Sequence, residues 1–240
     1  MKLEDLFRNI YEESSDILTQ KFEIENARVV PEIDDISYDN YGKIIDAAVL
    51  FIDMRYSTDL TDNTRRITVA RIYKCYLNSM VQAVLYNEGE IRGFAGDRIF
   101  SLFAGENPRT RAVDTAIVMQ TILKYIFPKL NINISCGVGI DYGSLLAVKS
   151  GAMRNPNNSD LVWIGSPVNY ASKFADKSDP GEIVISEEVY KNMLDDKKRP
   201  IPQGDEWWKR YSVKIAGKDI YVYCNKDLYK TAVKVLLNNG

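Results

Sequence analysis

The sequence contains no histidine. Imidazole general bases, histidine–zinc sites and histidine-based triads are therefore excluded. Cysteine is scarce as well: Cys75, Cys136 and Cys224 are three in number and widely spaced, which fits reduced thiols rather than a disulfide framework. No apolar run approaches the roughly 20 residues that a bilayer crossing needs, so no membrane partner is expected. Basic excess is missing too. The net charge is −2 and the pI about 5.4, a poor match to a non-specific nucleic-acid binder. The opening "MKLEDLFRNIYEESSD" is acidic and lacks a signal-peptide apolar region, which predicts a cytoplasmic protein. Any catalysis must run on carboxylates, lysines, hydroxyls or bound metal.

What is present is ordinary for a globular chain: 240 residues, 45% apolar and 27% charged, enough for one sizeable α/β domain with appendages. Residues 1–22 place Leu3, Leu6, Phe7, Ile10, Tyr11 and Ile17 at helical spacing. Residues 28–45 read as an acidic connector. "AAVLFIDM" reads as a strand, and the stretch from Asp59 as one long helix closed by Gly89. "EIRGFAGDRIFSLFAG" reads as a hairpin about a Gly-Asp turn. A second long helix follows from Pro108, stopped by Pro128. "INISCGVGIDYGSLLAVKSGA" is predicted as a strand pair, "NPNNSD" as a polar loop and "LVWIG" as a short strand. The next helix has Ser166 as N-cap and Pro167 at its first position. Strand "GEIVIS", short helix "EEVYKNML" and a hairpin ending at Asn225 complete the chain. The core order is β-α-β-β-α-β, an α+β fold of ferredoxin-like type with an added N-terminal helix and C-terminal hairpin. The predicted layout is 1–44 helix and connector, 45–225 main domain, 226–240 tail.

Asp53 ends an otherwise apolar strand, where a carboxylate is costly without compensation. Asp97 lies in the hairpin turn, and this fold order can bring the two together. Two such carboxylates repel, and a divalent cation relieves the conflict. Taken singly, Asp97 is also an ordinary turn residue and Asp53 an ordinary strand-end hydrogen-bonder.

The segments "FIDMRYST", "FAGDRIFSLF", "CGVGIDYG" and "WIGSPVNYASKFA" occur in the order of the class III nucleotidyl cyclases, and over roughly 45–225 the chain resembles that catalytic domain. The resemblance implies a homodimer with composite sites that turns a nucleoside triphosphate into a 3′,5′-cyclic monophosphate and pyrophosphate. It implies two divalent ions, Mn²⁺ or Mg²⁺, held by Asp53, Asp97 and the Ile52 carbonyl. Asn169 matches the residue that orients the ribose. Lys173 stands where the family usually has arginine on the phosphates, keeping charge but losing the bidentate fork. Lys218, or else Lys214, matches the lysine of the triphosphate tail. Backbone amides around Ser57 and Thr58 can cradle phosphate oxygens.

Purine-using members of the family read the base with polar residues where this chain has Gly93 and Val162, which cannot make those bonds. Tyr56 and Ser57 replace the usual Gly-Phe. Tyr56 adds volume that favours a smaller base, and Arg55 beside it offers donors to uracil O4. These departures resemble the bacterial pyrimidine cyclases of Pycsar anti-phage systems. They imply UTP as substrate, cyclic UMP as product and a separate effector as its target. Cytidylate, adenylate or guanylate cyclase activity are the alternatives, as are a diguanylate cyclase and a silent nucleotide sensor.

Overall fold

The computed structural model describes residues 2–151, 159–198, 207–226 and 228. In chain order the elements begin with α1 (Leu3–Thr19), β1 (Glu23–Asn26), β2 (Tyr41–Met54), α2 (Ser57–Asn63), α3 (Arg66–Tyr86), β3 (Glu90–Ala95), β4 (Arg98–Phe103) and α4 (Pro108–Thr121). They continue with β5 (Cys136–Gly151), β6 (Ser159–Ile164), α5 (Ser166–Lys177), β7 (Ile183–Ser186), α6 (Glu187–Asn192), α7 (Asp195–Lys198), β8 (Lys209–Ile215) and β9 (Lys218–Asn225). Two compact units emerge, one of residues 1–45 with 146–164 and the other of 46–145 with 165–240. The described residues 146–151 and 159–164 group with the first of these units. Of the predicted tail 226–240, all but Lys226 and Leu228 lies outside the described residues, as do residues 155–158 of the polar stretch.

In the first unit, α1 forms where the helical spacing places it, yet none of its residues is buried. Leu3, Phe7, Ile10, Tyr11, Ile17 and Leu18 are all exposed. The predicted connector is partly strand: β1 pairs in parallel with the first residues of β2, Glu23 opposite Tyr41 through Asn26 opposite Ile44. The end of β5 pairs antiparallel with β6, Leu146 opposite Ile164 through Gly151 opposite Ser159.

In the second unit the strand order is β3-β4-β2-β5-β7-β9-β8. Its first four members, read along the chain, reproduce the order of a ferredoxin-like β-α-β-β-α-β sheet. Alternation along β2 explains its two faces. Ala48, Leu50, Ile52 and Met54 join the core with Tyr76, Met80, Val113, Ala116 and Ile117 of α3 and α4. Val49, Phe51 and Asp53 point the other way. On that opposite face α5 packs through Phe174 onto Val184, Val213 and Val222. Gly139 makes this possible, because a Cβ there would overlap the α5 backbone at Ala171 and Ala175.

Four local expectations are corrected. The long helix after β2 is broken at Thr64–Arg65, where Thr64 is extended and the Asn63 amide bonds the Asp59 carbonyl. Such side chains compete with helical backbone. Pro128 does not abruptly stop a helix: α4 passes through a π turn at Ile122–Ile126 into a 3₁₀ turn at Phe127–Leu130 that contains the proline. The predicted strand pair around Gly143 is one strand of 16 residues. Gly143 serves close approach instead, since a Cβ would come within 2.9 Å of the Pro167 ring. Finally, Gly165 rather than Ser166 caps α5.

Asp141 of β5 is buried. Burial pushes its carboxyl up to about 6, against the opposing bonds from Ser186 and the Tyr142 amide. Since the folded value exceeds the ordinary value near 4, the fold favours the protonated form. Stability is greatest below pH 4 in this respect and falls as pH climbs toward 6. Asp141→Asn, which retains an acceptor oxygen, is expected to flatten this slope and to raise stability at pH 7 by roughly 2 kcal/mol. Urea unfolding at pH 4 and pH 7 checks it; equal gains at both values would refute the assignment.

Candidate active site

The strand-end acid and the turn acid meet by register. Ile52 of β2 pairs with Ile99 of β4, so Asp53 comes opposite Arg98, and Asp97 precedes Arg98 in the two-residue turn. Gly96 takes the positive φ of 66° such a turn requires. Both carboxylates act on the same two buried groups, Tyr76 and Cys136. Desolvation first, then neighbouring Cys136, Asp97 and Asp53, raise the Tyr76 phenol. Desolvation first, with both aspartates assisting, raises the Cys136 thiol. Two negative groups therefore converge at the floor of one site.

Asp97 Oδ2 is buried without a hydrogen-bond partner. A lone acceptor of that kind is expensive, and a bound cation is the chemistry that answers it. Asp53 and Asp97 supply oxygen donors of the type hard divalent ions take. Among the described residues no group of three or more histidine, cysteine or carboxylate side chains gathers for a metal. The donor set here is two carboxylates, with the Ile52 carbonyl on the adjoining residue.

Asp53 is held by two arginines. Arg98 donates to Asp53 Oδ2 at 2.9 Å and to Ser172 Oγ at 3.0 Å, and also pairs with Asp176. Burial opposes the charge on Arg98, but the bonds and attraction from Asp53 and Asp176 raise its pKa overall. Arg55 lies 3.4 Å from Asp53 Oδ2 and caps the C-terminal end of α5. It donates to the Ala175 carbonyl, to the Ser178 carbonyl at 2.9 Å and to Ser178 Oγ at 3.0 Å. Gly137 leaves room for it, since a Cβ would overlap the guanidinium. The donors that the sequence reading offers to a base are thus spent on α5 and Asp53.

Tyr56 sits in the left-handed region, φ 60° and ψ 30°, at the N-cap of α2, and is 70% exposed. This is a conformation glycine adopts freely and tyrosine does not. No side chain caps α2, so Ser57 and Thr58 open the helix with uncapped amides. Two residues before Asp53, Phe51 stacks on Phe100 with ring centroids 4.9 Å apart. With Gly93, Phe94, Ala95 and Arg98 they line a hollow of about 200 Å³. A larger cavity of about 520 Å³, lined in part by Gln120, Lys124, Ser135 and Lys226, contains none of the expected site residues.

Asn169 and Lys173 are exposed on α5, one helical turn apart. Lys218 and Lys214 flank the β8–β9 turn and are also exposed. The far end of β9, at Asn225, pairs with Ile183, and Val138 near the start of β5 pairs with Ile183 in turn. The Ser135 carbonyl, just before β5, accepts from the Arg55 amide. The two lysines therefore lie toward the other end of the sheet from Asp53. Sequence reasoning missed Arg98, Ser172 and Asp176. The only signal was an arginine following the Gly-Asp pair and two polar residues four apart on the "VNYASKFADK" helix.

Residues 40–224 match the family described as the adenylate and guanylate cyclase catalytic domain. The chain is 32% identical over 205 residues to a uridylate cyclase of Xanthomonas perforans, covering 81% of this chain and 86% of that one. It is 28% identical over 204 residues to a uridylate cyclase of Gulbenkiania mobilis, covering 78% of each. Among solved structures it resembles the adenylyl cyclase CyaB of P. aeruginosa, with a TM-score of 0.65 at 23% identity over 79% of this chain and 97% of that one. The guanylyl cyclase Cya2 gives a TM-score of 0.64 at 21% identity, over 76% and 91%. No described helix is long and apolar enough to cross a membrane. With the ferredoxin-like sheet, the converging aspartates and a family match over most of its length, the chain belongs to the adenylate and guanylate cyclase catalytic-domain family, the class III nucleotidyl cyclases.

Proposed function

We propose that this nucleotidyl cyclase converts UTP to 3′,5′-cyclic UMP and pyrophosphate. The observation that carries the reading is Gly93 in the wall of a hollow of about 200 Å³, at the position where purine-using members of the family place a polar side chain. The likeness to uridylate cyclases supports uracil over cytosine. Arg55 is not assigned to the base, because its donors already serve α5 and Asp53.

Asp53, Asp97 and the Ile52 carbonyl would hold the divalent ions, Mn²⁺ or Mg²⁺. Bound there, such ions supply charge neutralisation for the triphosphate and acidify the ribose 3′-hydroxyl. The amides of Ser57 and Thr58 receive phosphate oxygens. Asn169 fixes the ribose so that the 3′-oxygen lies in line with the α-phosphorus. The new 3′-oxygen–phosphorus bond forms as the bond to pyrophosphate breaks, and Lys173 balances the charge that gathers on the leaving group. Lys218 or Lys214 takes the triphosphate tail. These lysines lie away from Asp53 within one chain, and Asn169 and Lys173 face outward. A head-to-tail homodimer, each copy completing the other's site, accounts for both. A cytoplasmic anti-phage signal acting on a separate effector fits the Pycsar likeness.

The direct test offers ATP, GTP, CTP and UTP together with Mn²⁺ and identifies products by mass spectrometry. Cyclic UMP is the expected main product; cyclic AMP or cyclic GMP in its place would overturn the reading. Asp97→Ala is expected to lower turnover at least about 100-fold while leaving the melting transition in place. Tyr56→Gly relieves the left-handed strain and is expected to stabilise the protein by about 1 kcal/mol while weakening its preference for pyrimidines. Competition assays and thermal melts check both halves. Selectivity unchanged in the variant would remove Tyr56 from the base pocket.

A further inference from the structure

Arg98 lines the hollow and has no step of its own in the reaction above, yet it joins Asp53 to two side chains of α5. It bridges the strand-end carboxylate Asp53 at 2.9 Å, Ser172 Oγ at 3.0 Å and the Asp176 carboxylate. Ser172 and Asp176 lie one turn apart on α5, the helix that also carries Asn169 and Lys173. The Asp53 and Arg98 side chains are largely screened from water, at 18% and 26% exposure, which strengthens their attraction. Asp53 Oδ2, the oxygen Arg98 holds, is also the one nearest Arg55. A cation arriving at Asp53 Oδ2 brings a third positive centre to an oxygen that already faces two guanidinium groups, of which Arg98 is the nearer. The cation and Arg98 cannot both hold that oxygen without added repulsion.

We propose that Arg98 is a positioning residue that competes with the divalent cation for Asp53 and is handed over to Ser172 and Asp176 when the cation binds, so that cation loading and the seating of α5 are coupled. The proposal rests on Asp53 being a cation ligand. Asp97, with its unpartnered Oδ2, gives the cation a first foothold that Arg98 does not contest. Once Arg98 leaves Asp53, its donors are satisfied on α5 alone, so the release orphans no charge. Coupling of this kind is reciprocal. Whatever steadies Arg98 on α5 favours the cation, and whatever weakens that seat returns Arg98 to Asp53.

The test measures Mn²⁺ binding to the nucleotide-free protein by the paramagnetic resonance of free Mn²⁺, with hydrogen exchange of α5 followed in parallel. Arg98→Gln removes the competitor and is expected to tighten Mn²⁺ binding about tenfold. Asp176→Asn weakens the α5 seat and is expected to loosen it several-fold; Arg98→Lys is expected to stay near the parent protein. In the parent protein Mn²⁺ changes exchange over residues 172–178, and in Arg98→Gln it does not. Asp53→Asn serves as the control. If it binds Mn²⁺ as the parent does, the cation assignment itself fails. If it loses Mn²⁺ while Arg98→Gln and Asp176→Asn both leave affinity unchanged, or shift it in the same direction, the cation assignment survives and the competition is wrong. Should Arg98→Gln not fold, Arg98→Lys and Asp176→Asn decide the matter: parent-like affinity in the first beside a several-fold loss in the second upholds the proposal, and equal affinities overturn it.

Discussion

One carboxylate at the end of an apolar strand organises this site. Asp53 follows residues whose alternate side chains fill the core beneath α3 and α4, and it emerges on the opposite face with its side chain 18% exposed. There it gathers two guanidinium groups, and with Asp97 it imposes negative potential on Tyr76 and Cys136 below. Both arginines that serve Asp53 also bond to α5 or its C-cap, so charge at this strand end adds to the packing of Phe174 and the close approach at Gly139 in holding that helix.

The backbone makes room for that arrangement. Gly137 accommodates the Arg55 guanidinium, and Gly139 lets the α5 backbone lie directly on β5. Each glycine trades conformational entropy for close approach. Gly93 has a related role on β3. It falls at a register shift in the hairpin and contributes no side chain to the wall of the hollow there.

The sheet was largely legible in the sequence because its signals are local and redundant. The "GFAGDRIF" hairpin is fixed by a glycine with positive φ between apolar strands, and the period-two alternation of "AVLFIDM" places Asp53 off the core. The same signals put Asp53 and Asp97 at neighbouring ends of β2 and the β3–β4 turn. What failed were features decided by tertiary contact. The stretch from Ile132 to Ala152 reads as a strand pair, but the missing side chain of Gly143 serves the Pro167 ring, and β5 runs on through it. Arg55 looks like an available donor, but the C-terminal carbonyls of α5, 120 residues later, consume it. Arg98 carries no local sign of its importance, since its partners Ser172 and Asp176 are more than 70 residues away. The break at Thr64 was visible in the run Asp-Asn-Thr, whose side chains compete for backbone bonds, but helical spacing on either side outweighed it in the reading.

The cysteines bear on how such a site fares in a chemically hostile cell. Cys136 lies directly below the two acids, fully buried, and their field adds to burial in keeping it a thiol. Cys224 is pushed up to about 11, while Cys75 is exposed on α3. Only thiolates react readily with peroxides and electrophiles. Burial, with the two acids assisting, therefore keeps the sulfur beneath them in its less reactive form, and Cys75 is the exposed sulfur that reagents in solution can reach.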